Sequence, residues 1–210
     1  MQEKNLQTIE DIHQMMSKSS RFISLSGLSG IAAGLCALVG AYVANISIDK
    51  YYKHYTSLAS TPSTLRNQLL FIAFVVLISA ICTAFLFTYR KSKIDGIPIW
   101  GTSSMRLAWN TILPMLVGAI IILKCIQLNL FDFIAPICLL AYGLGLINGS
   151  KYTLGEIRYL GYLQLILGCI NLWLPKHGLM FWALGFGALH IVYGVVMWFK
   201  YEREQKDIEN

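Results

Sequence analysis

Apolar residues in this chain come in long, nearly unbroken blocks, and polar residues collect in short interruptions between them. Within a block there is no polar face at helical spacing, so the helices that the pattern predicts are apolar on every side. Crossing a hydrocarbon core of ~30 Å as helix takes ~18–20 such residues. The blocks at 22–46, 68–89, 107–127, 133–148, 158–174 and 179–199 approach or exceed that length and predict six transmembrane helices, the fourth and fifth being the shortest. The expected fold is therefore all-α: a polytopic helical bundle over 22–199, preceded by a segment at 1–21 and followed by a charged tail at 200–210. The links between blocks are too short for a separate soluble domain.

Only the N-terminal segment breaks this pattern. In LQTIEDIHQMMSKSS, residues 6–20, Leu6, Ile9, Ile12 and Met16 recur at helical spacing, Thr8 is suited to cap the helix, and Glu10 and Asp11 supply negative charge to its first turn. A short amphipathic helix lying at the membrane surface is predicted there, with an apolar face that would also suit a soluble partner. Glu3, Glu10 and Asp11 ahead of the first span, without a small-residue cleavage pattern, do not resemble a cleaved signal peptide, so the first span is expected to remain as an anchor.

Composition agrees with the pattern. Of 210 residues 56% are hydrophobic and 13% charged, against ~45–50% and ~25% in soluble domains. The net charge of +6 raises the question of nucleic acid, but its distribution answers it. With both termini in the cytoplasm, twelve of the seventeen Lys and Arg fall inside: Lys4, Lys18, Arg21, Arg90, Lys91, Lys93, Arg106, Lys151, Arg158, Lys200, Arg203 and Lys206. Lys50, Lys53, Arg66, Lys124 and Lys176 fall on the other side. This asymmetry is the one that orients membrane proteins, and it accounts for the basic excess with no nucleic-acid partner. Tyr51, Tyr52 and Tyr55 beside Lys50, Lys53 and His54 have the character of an interfacial anchor, as do Ile97, Ile99 and Trp100 after the turn signal at Gly96.

The clearest packing signal is SGLSGIAAGLCALVGA in the first span. Ser26, Gly30 and Gly34 lie one turn apart, with Ala33 and Ala37 on an adjacent ridge. Small residues at i and i+4 let backbones approach closely in lipid, either within the bundle or between two copies of the chain. Cys36, Cys82, Cys125, Cys138 and Cys169 are scattered one to each of the first five spans with no CxxC pair, which indicates neither a metal site nor a disulfide framework.

Candidate chemistry rests on a few polar residues at depth. His190 lies within FWALGFGALHIVYG, and Asn110, Gln164 and Asn171 are the other strongly polar side chains considered within the spans. A membrane haem needs two axial histidines, whereas His13, His54 and His177 lie outside the spans, so no cofactor is expected. Asp132 and Glu156 sit at span ends, which leaves no carboxylate at depth for a proton relay. Arg106, Asn110 and Pro114 form one stripe, and Pro114 leaves a backbone carbonyl unpaired that a neighbouring polar group could satisfy. His190, Gln164, Asn110 and Tyr193 are therefore predicted to face a shared cavity in the inner half of the membrane. Simple interhelical hydrogen bonding is the alternative role for the same groups.

Gly27-Leu28-Ser29-Gly30 resembles the GxSG nucleophile motif of the rhomboid intramembrane proteases, whose histidine base is on the last core helix, as His190 is here. Ser29, however, is on the first span rather than the fourth. The family's histidine and asparagine oxyanion pair has no counterpart between Gln68 and Tyr89, and Gly194 follows His190 at i+4 rather than i+3. No catalytic residue is assigned.

The segments RFISLSGLSGIAAGLCALVGAY and FWALGFGALHIVYGVVMWFKYE, with the MMSKSSRF entry, resemble a family of six-span bacterial membrane proteins familiar from Bacteroidota genomes, for which no activity is assigned. The resemblance implies a multi-pass protein of the bacterial inner membrane. The function expected from the whole is a non-enzymatic sensing or scaffolding module in contact with membrane lipids and a cytoplasmic protein partner. A carrier for a small neutral or amphipathic solute is the second expectation.

Overall fold

The computed structural model describes residues 26–53, 62–94, 96 and 99–203. The amphipathic segment expected at 6–20, His54 and Tyr55 of the first loop, Ile97, and the tail beyond Arg203 lie outside the described residues. Every regular element among the described residues is helical. In chain order these are α1 (Gly27–Lys53), α2 (Pro62–Ile94), α3 (Thr102–Gln127), α4 (Ile134–Gly149), α5 (Ile157–Trp173) and a composite rod, α6 (Pro175–Tyr201).

Five of these are long and apolar enough to cross a membrane; α4 reaches that length together with its flanking turns, Phe131–Tyr152. The exception is α5, at 17 residues. Its start is set by the compact turn at Thr153–Glu156 and its end by Pro175, which has no amide to continue the ladder. Elsewhere the helices overrun the apolar blocks. α1 continues to Lys53 because Lys50 and Lys53 favour the negative end of the helix dipole and Lys53 pairs with Asp49 at 2.6 Å.

Turn chemistry fixes the antiparallel order. α3 ends in a Schellman motif: the amide of Asn129 bonds the Ile126 carbonyl and that of Leu130 the Cys125 carbonyl. Asn129 takes φ 58°, the left-handed conformation that asparagine tolerates better than most residues. The chain reverses there into α4.

Four helices form the centre. α6 packs against α1 on one side and against α4 and α5 on the other, while α2 packs mainly on α1 and α3 mainly on α4. The outer pair accordingly exposes rows of large apolar side chains, among them Phe71, Phe74 and Ile81 on α2 and Trp109, Leu116 and Ile120 on α3. Such surfaces suit hydrocarbon, where all backbone polar groups must be paired internally, as helices pair them.

Where helices meet, small residues set the distance. A Cβ on Gly30 would sit 3.2 Å from the Gly194 Cα and 3.3 Å from the His190 carbonyl oxygen, and one on Gly34 would sit 2.8 Å from the Gly187 carbonyl oxygen. The Gly30–Gly34 face of α1 is thus engaged by α6 within the chain. Ala37 and Ala41 are buried, Ala33 is half-buried, and Gly40 seats Val76 of α2. On α4, Gly145 and Gly149 lie against Thr111 of α3, and Gly143 against Gly161 of α5.

Candidate functional site

The last rod is not uniform. An α-helical turn at Gly178–Trp182 gives way to a π-helical stretch, Ala183–Leu189, before α-helix resumes at His190–Trp198. A π turn shifts backbone pairing from i+4 to i+5 and widens the helix, and such segments concentrate at functional positions. Gly185 and Gly187 are buried within it, where neighbouring helices come close.

The Gly185 carbonyl oxygen is the centre of a polar node. Gln164 Nε2 on α5 donates to it at 2.8 Å, and His190 Nδ1 lies 2.9 Å from it. A carbonyl oxygen only accepts, so Nδ1 carries the ring proton. In the neutral ring Nε2 is then the lone-pair nitrogen, and the Tyr142 hydroxyl on α4, 2.8 Å away, donates to it. Three helices are therefore joined through one carbonyl and one imidazole. His190 is 7% exposed and Gln164 0%, so both side chains are shielded from bulk solvent. Phe186 stacks on the ring with centroids 6.0 Å apart and an interplanar angle of 16°, and Tyr142 contacts both rings.

One atom in this node has no donor. Gln164 Oε1 is buried and makes no hydrogen bond, and Asn171 Oδ1, two turns further along α5, shares that condition. Leaving a buried acceptor unmatched costs about 1–3 kcal/mol. Rotating the Gln164 amide is no remedy, because it would place two carbonyl oxygens face to face. Gly185 adds to the constraint: a Cβ there would come within 2.6 Å of Gln164 Oε1.

Asn110 takes part in a second, separate contact. Its Nδ2 donates to the Arg106 carbonyl at 2.8 Å. Asn148 Nδ2 on α4 donates to the Asn110 carbonyl at 3.0 Å and to its Oδ1 at 3.2 Å. The backbone oxygen concerned is the one that Pro114, four residues on, leaves without an amide partner. The structure thus brings His190 and Gln164 together at Gly185 and pairs Asn110 with Asn148 instead. Tyr193, one turn beyond His190, is half-buried and lies in electrostatic reach of Tyr142, Glu156 and Tyr201.

Tyr142, Asn148 and the Gly185 carbonyl were not among the sequence-derived candidates. Tyr142 carried a signal: it sits at mid-block rather than at an interface, where a tyrosine hydroxyl must find a protein partner. Asn148, at the end of its block, gave none beyond its polarity.

Ser29 is buried, and its hydroxyl donates to the Ser26 carbonyl at 2.5 Å. Since both ring nitrogens of His190 are engaged elsewhere, the serine and histidine do not form a nucleophile–base pair in this arrangement. Among the described residues no cluster of three or more His, Cys, Asp or Glu is placed to hold a metal ion.

At the end of the bundle where α6 terminates, Glu156 Oε1 accepts from Lys200 Nζ at 2.5 Å and from the Tyr201 hydroxyl at 2.7 Å. This clasp ties the α4–α5 turn to the last turn of α6. Partial burial raises the carboxyl's proton affinity, but the bonds from Lys200 and Tyr201 outweigh it and hold Glu156 below the usual carboxylate range.

Comparison with protein-family models, curated proteins and solved structures finds no match to this chain.

Proposed function

We propose that this chain is a six-span protein of the bacterial inner membrane with both termini in the cytoplasm, acting as a non-enzymatic sensing or scaffolding module. The observation that carries this reading is the node at Gly185, where the most polar groups of the interior bind α4, α5 and α6 to one another. Ionisable groups at depth otherwise mark transport or catalytic paths. Here His190 is occupied on both nitrogens, which suits a rigid frame whose working surfaces are external.

Those surfaces are consistent with the charge pattern. Arg90, Lys91, Lys93, Arg106, Lys151, Arg158 and Lys200 lie at the ends of α2, α3, α4, α5 and α6 that the positive-inside rule would put in the cytoplasm. Together with residues 1–20 they would meet a cytoplasmic partner and anionic lipid. Site-specific crosslinking in cells tests this directly. Loss of specific crosslinks on deletion of residues 1–20 is expected, and an unchanged set of partners would overturn the reading.

The second reading, a binding protein or carrier for a small neutral solute, is favoured by one observation: the unmatched amide oxygen of Gln164.

A further inference from the structure

We propose that Gln164 Oε1 is the acceptor of an internal binding site, between α4, α5 and α6, for one neutral hydroxyl donor. The inference rests on the second reading's site and goes beyond it by defining what can occupy that site.

Donors and acceptors in the node do not balance. Of its protons, one Gln164 Nε2–H and the His190 Nδ1–H are spent on the Gly185 oxygen, and the Tyr142 hydroxyl proton is spent on His190 Nε2. What is left over is the second Nε2–H of Gln164 and a larger acceptor capacity: the lone pairs of Gln164 Oε1, which has no partner at all, and the oxygen of Tyr142, which donates its proton and can still accept. An occupant must therefore donate. It must also be uncharged, since the groups of the node include no carboxylate to balance a cation, and a lone charge at this depth is costly.

A small hydroxyl satisfies both conditions, and Gln164, 0% exposed with its carbonyl fixed in direction by the bond to Gly185, is a built acceptor rather than a surface group. The donor is a water molecule or the hydroxyl of a small polyol, which present the same chemistry to Oε1.

The test reads the Gln164 side-chain carbonyl by infrared spectroscopy in the full chain, reconstituted in nanodiscs with 13C-labelled glutamine. Replacing Gln2, Gln7, Gln14, Gln68, Gln127 and Gln205 by serine leaves Gln164 as the single reporter. If those six changes together impair folding, subtracting the spectrum of Gln164→Met from that of the unmodified chain isolates the same band. A carbonyl band shifted to low frequency, as for a hydrogen-bonded amide, supports the site. Persistence of the shift after exhaustive dialysis, with a further change in D2O, identifies water. Loss of the shift on dialysis and recovery with added glycerol identifies a polyol.

A band at the free-carbonyl position, unmoved by glycerol or D2O, overturns the inference. Equilibrium binding of radiolabelled glycerol, measured separately, tests the carrier reading. A water-bound carbonyl without glycerol binding would sink that reading and leave the site intact.

Discussion

Gln164 and His190 donate to the same backbone oxygen, that of Gly185, at 2.8 and 2.9 Å. Two side chains from different helices thus converge on a carbonyl of the π-helical stretch. The histidine's other nitrogen carries the connection on to Tyr142 of α4. The node acts as a bolt through three helices, and only when it is closed are α4, α5 and α6 held to one another by their most polar groups.

Replacing Gln164 by Leu removes one arm of the bolt and should lower stability by about 0.6 kcal/mol, the average for single interhelical bonds in lipid, and by no more than ~1.7 kcal/mol. Gln164→Glu should be worse at high pH, where an ionised carboxylate cannot donate to the Gly185 carbonyl and lies buried without a counter-charge, whereas the protonated acid keeps that bond. Thermal unfolding in one detergent checks the order.

Tyr142 and His190 should be energetically coupled. A double-mutant cycle with Tyr142→Phe and His190→Phe is expected to show a coupling near 1 kcal/mol. A coupling indistinguishable from zero would mean that the 2.8 Å contact contributes nothing.

Asn148 should matter because of Pro114. Asn148→Leu leaves the Asn110 carbonyl unmatched and is expected to cost about 1–3 kcal/mol. Adding Pro114→Ala restores an amide four residues on, so the double variant should recover part of that loss. Failure to recover would show that the Asn148 bond serves some purpose other than the proline gap.

Close packing of α1 on α6 gives a sharper contrast. A Cβ at Gly194 would lie 2.6 Å from the Gly27 carbonyl oxygen and 2.7 Å from the Ile31 amide nitrogen, both backbone atoms. Gly194→Ala should therefore destabilise by about 1–3 kcal/mol. Gly155→Ala, which meets nothing within 4 Å, should stay within about 0.5 kcal/mol. Urea-induced unfolding of the two variants compares them.

The Glu156 clasp sets a pH dependence. The carboxyl titrates below its ordinary value of 4.5 in the folded chain, so the clasp contributes at pH values above 4.5. Its contribution is lost as pH falls through the lowered value. Spin labels at positions 155 and 203 should stay close at pH 7 and separate in acid below pH 4.5. Glu156→Gln should abolish that change.

Much of the fold was legible because the hydrocarbon requirement acts on whole blocks: all-apolar runs located the helices. The block at 158–174 lies within one residue of α5 at each end, whereas the ends of α1 and α2 were less legible, because those helices run on past their apolar blocks into polar sequence. The small-residue stripe at Gly30 and Gly34 indicated a close contact, and its partner in the structure is Gly187 and Gly194 on α6.

The site was legible only in part. Depth along the helices placed His190 and Gln164 at similar levels, but their meeting at the Gly185 carbonyl depends on the π-helical stretch of α6, whose widened turn has no composition signature beyond Gly185 and Gly187. The same limit applies to Asn110. Pro114 marked a carbonyl in need of a donor, yet only the α3–α4 contact at Gly145 and Gly149 reveals that Asn148 supplies it.

The most direct test of the closed node is 15N magnetic resonance of His190 in the lipid-reconstituted full chain at neutral pH. A neutral ring with its proton on Nδ1 is expected, with Nε2 hydrogen-bonded and its signal displaced in Tyr142→Phe. A proton on Nε2, or a doubly protonated ring exchanging freely with water, would contradict the account.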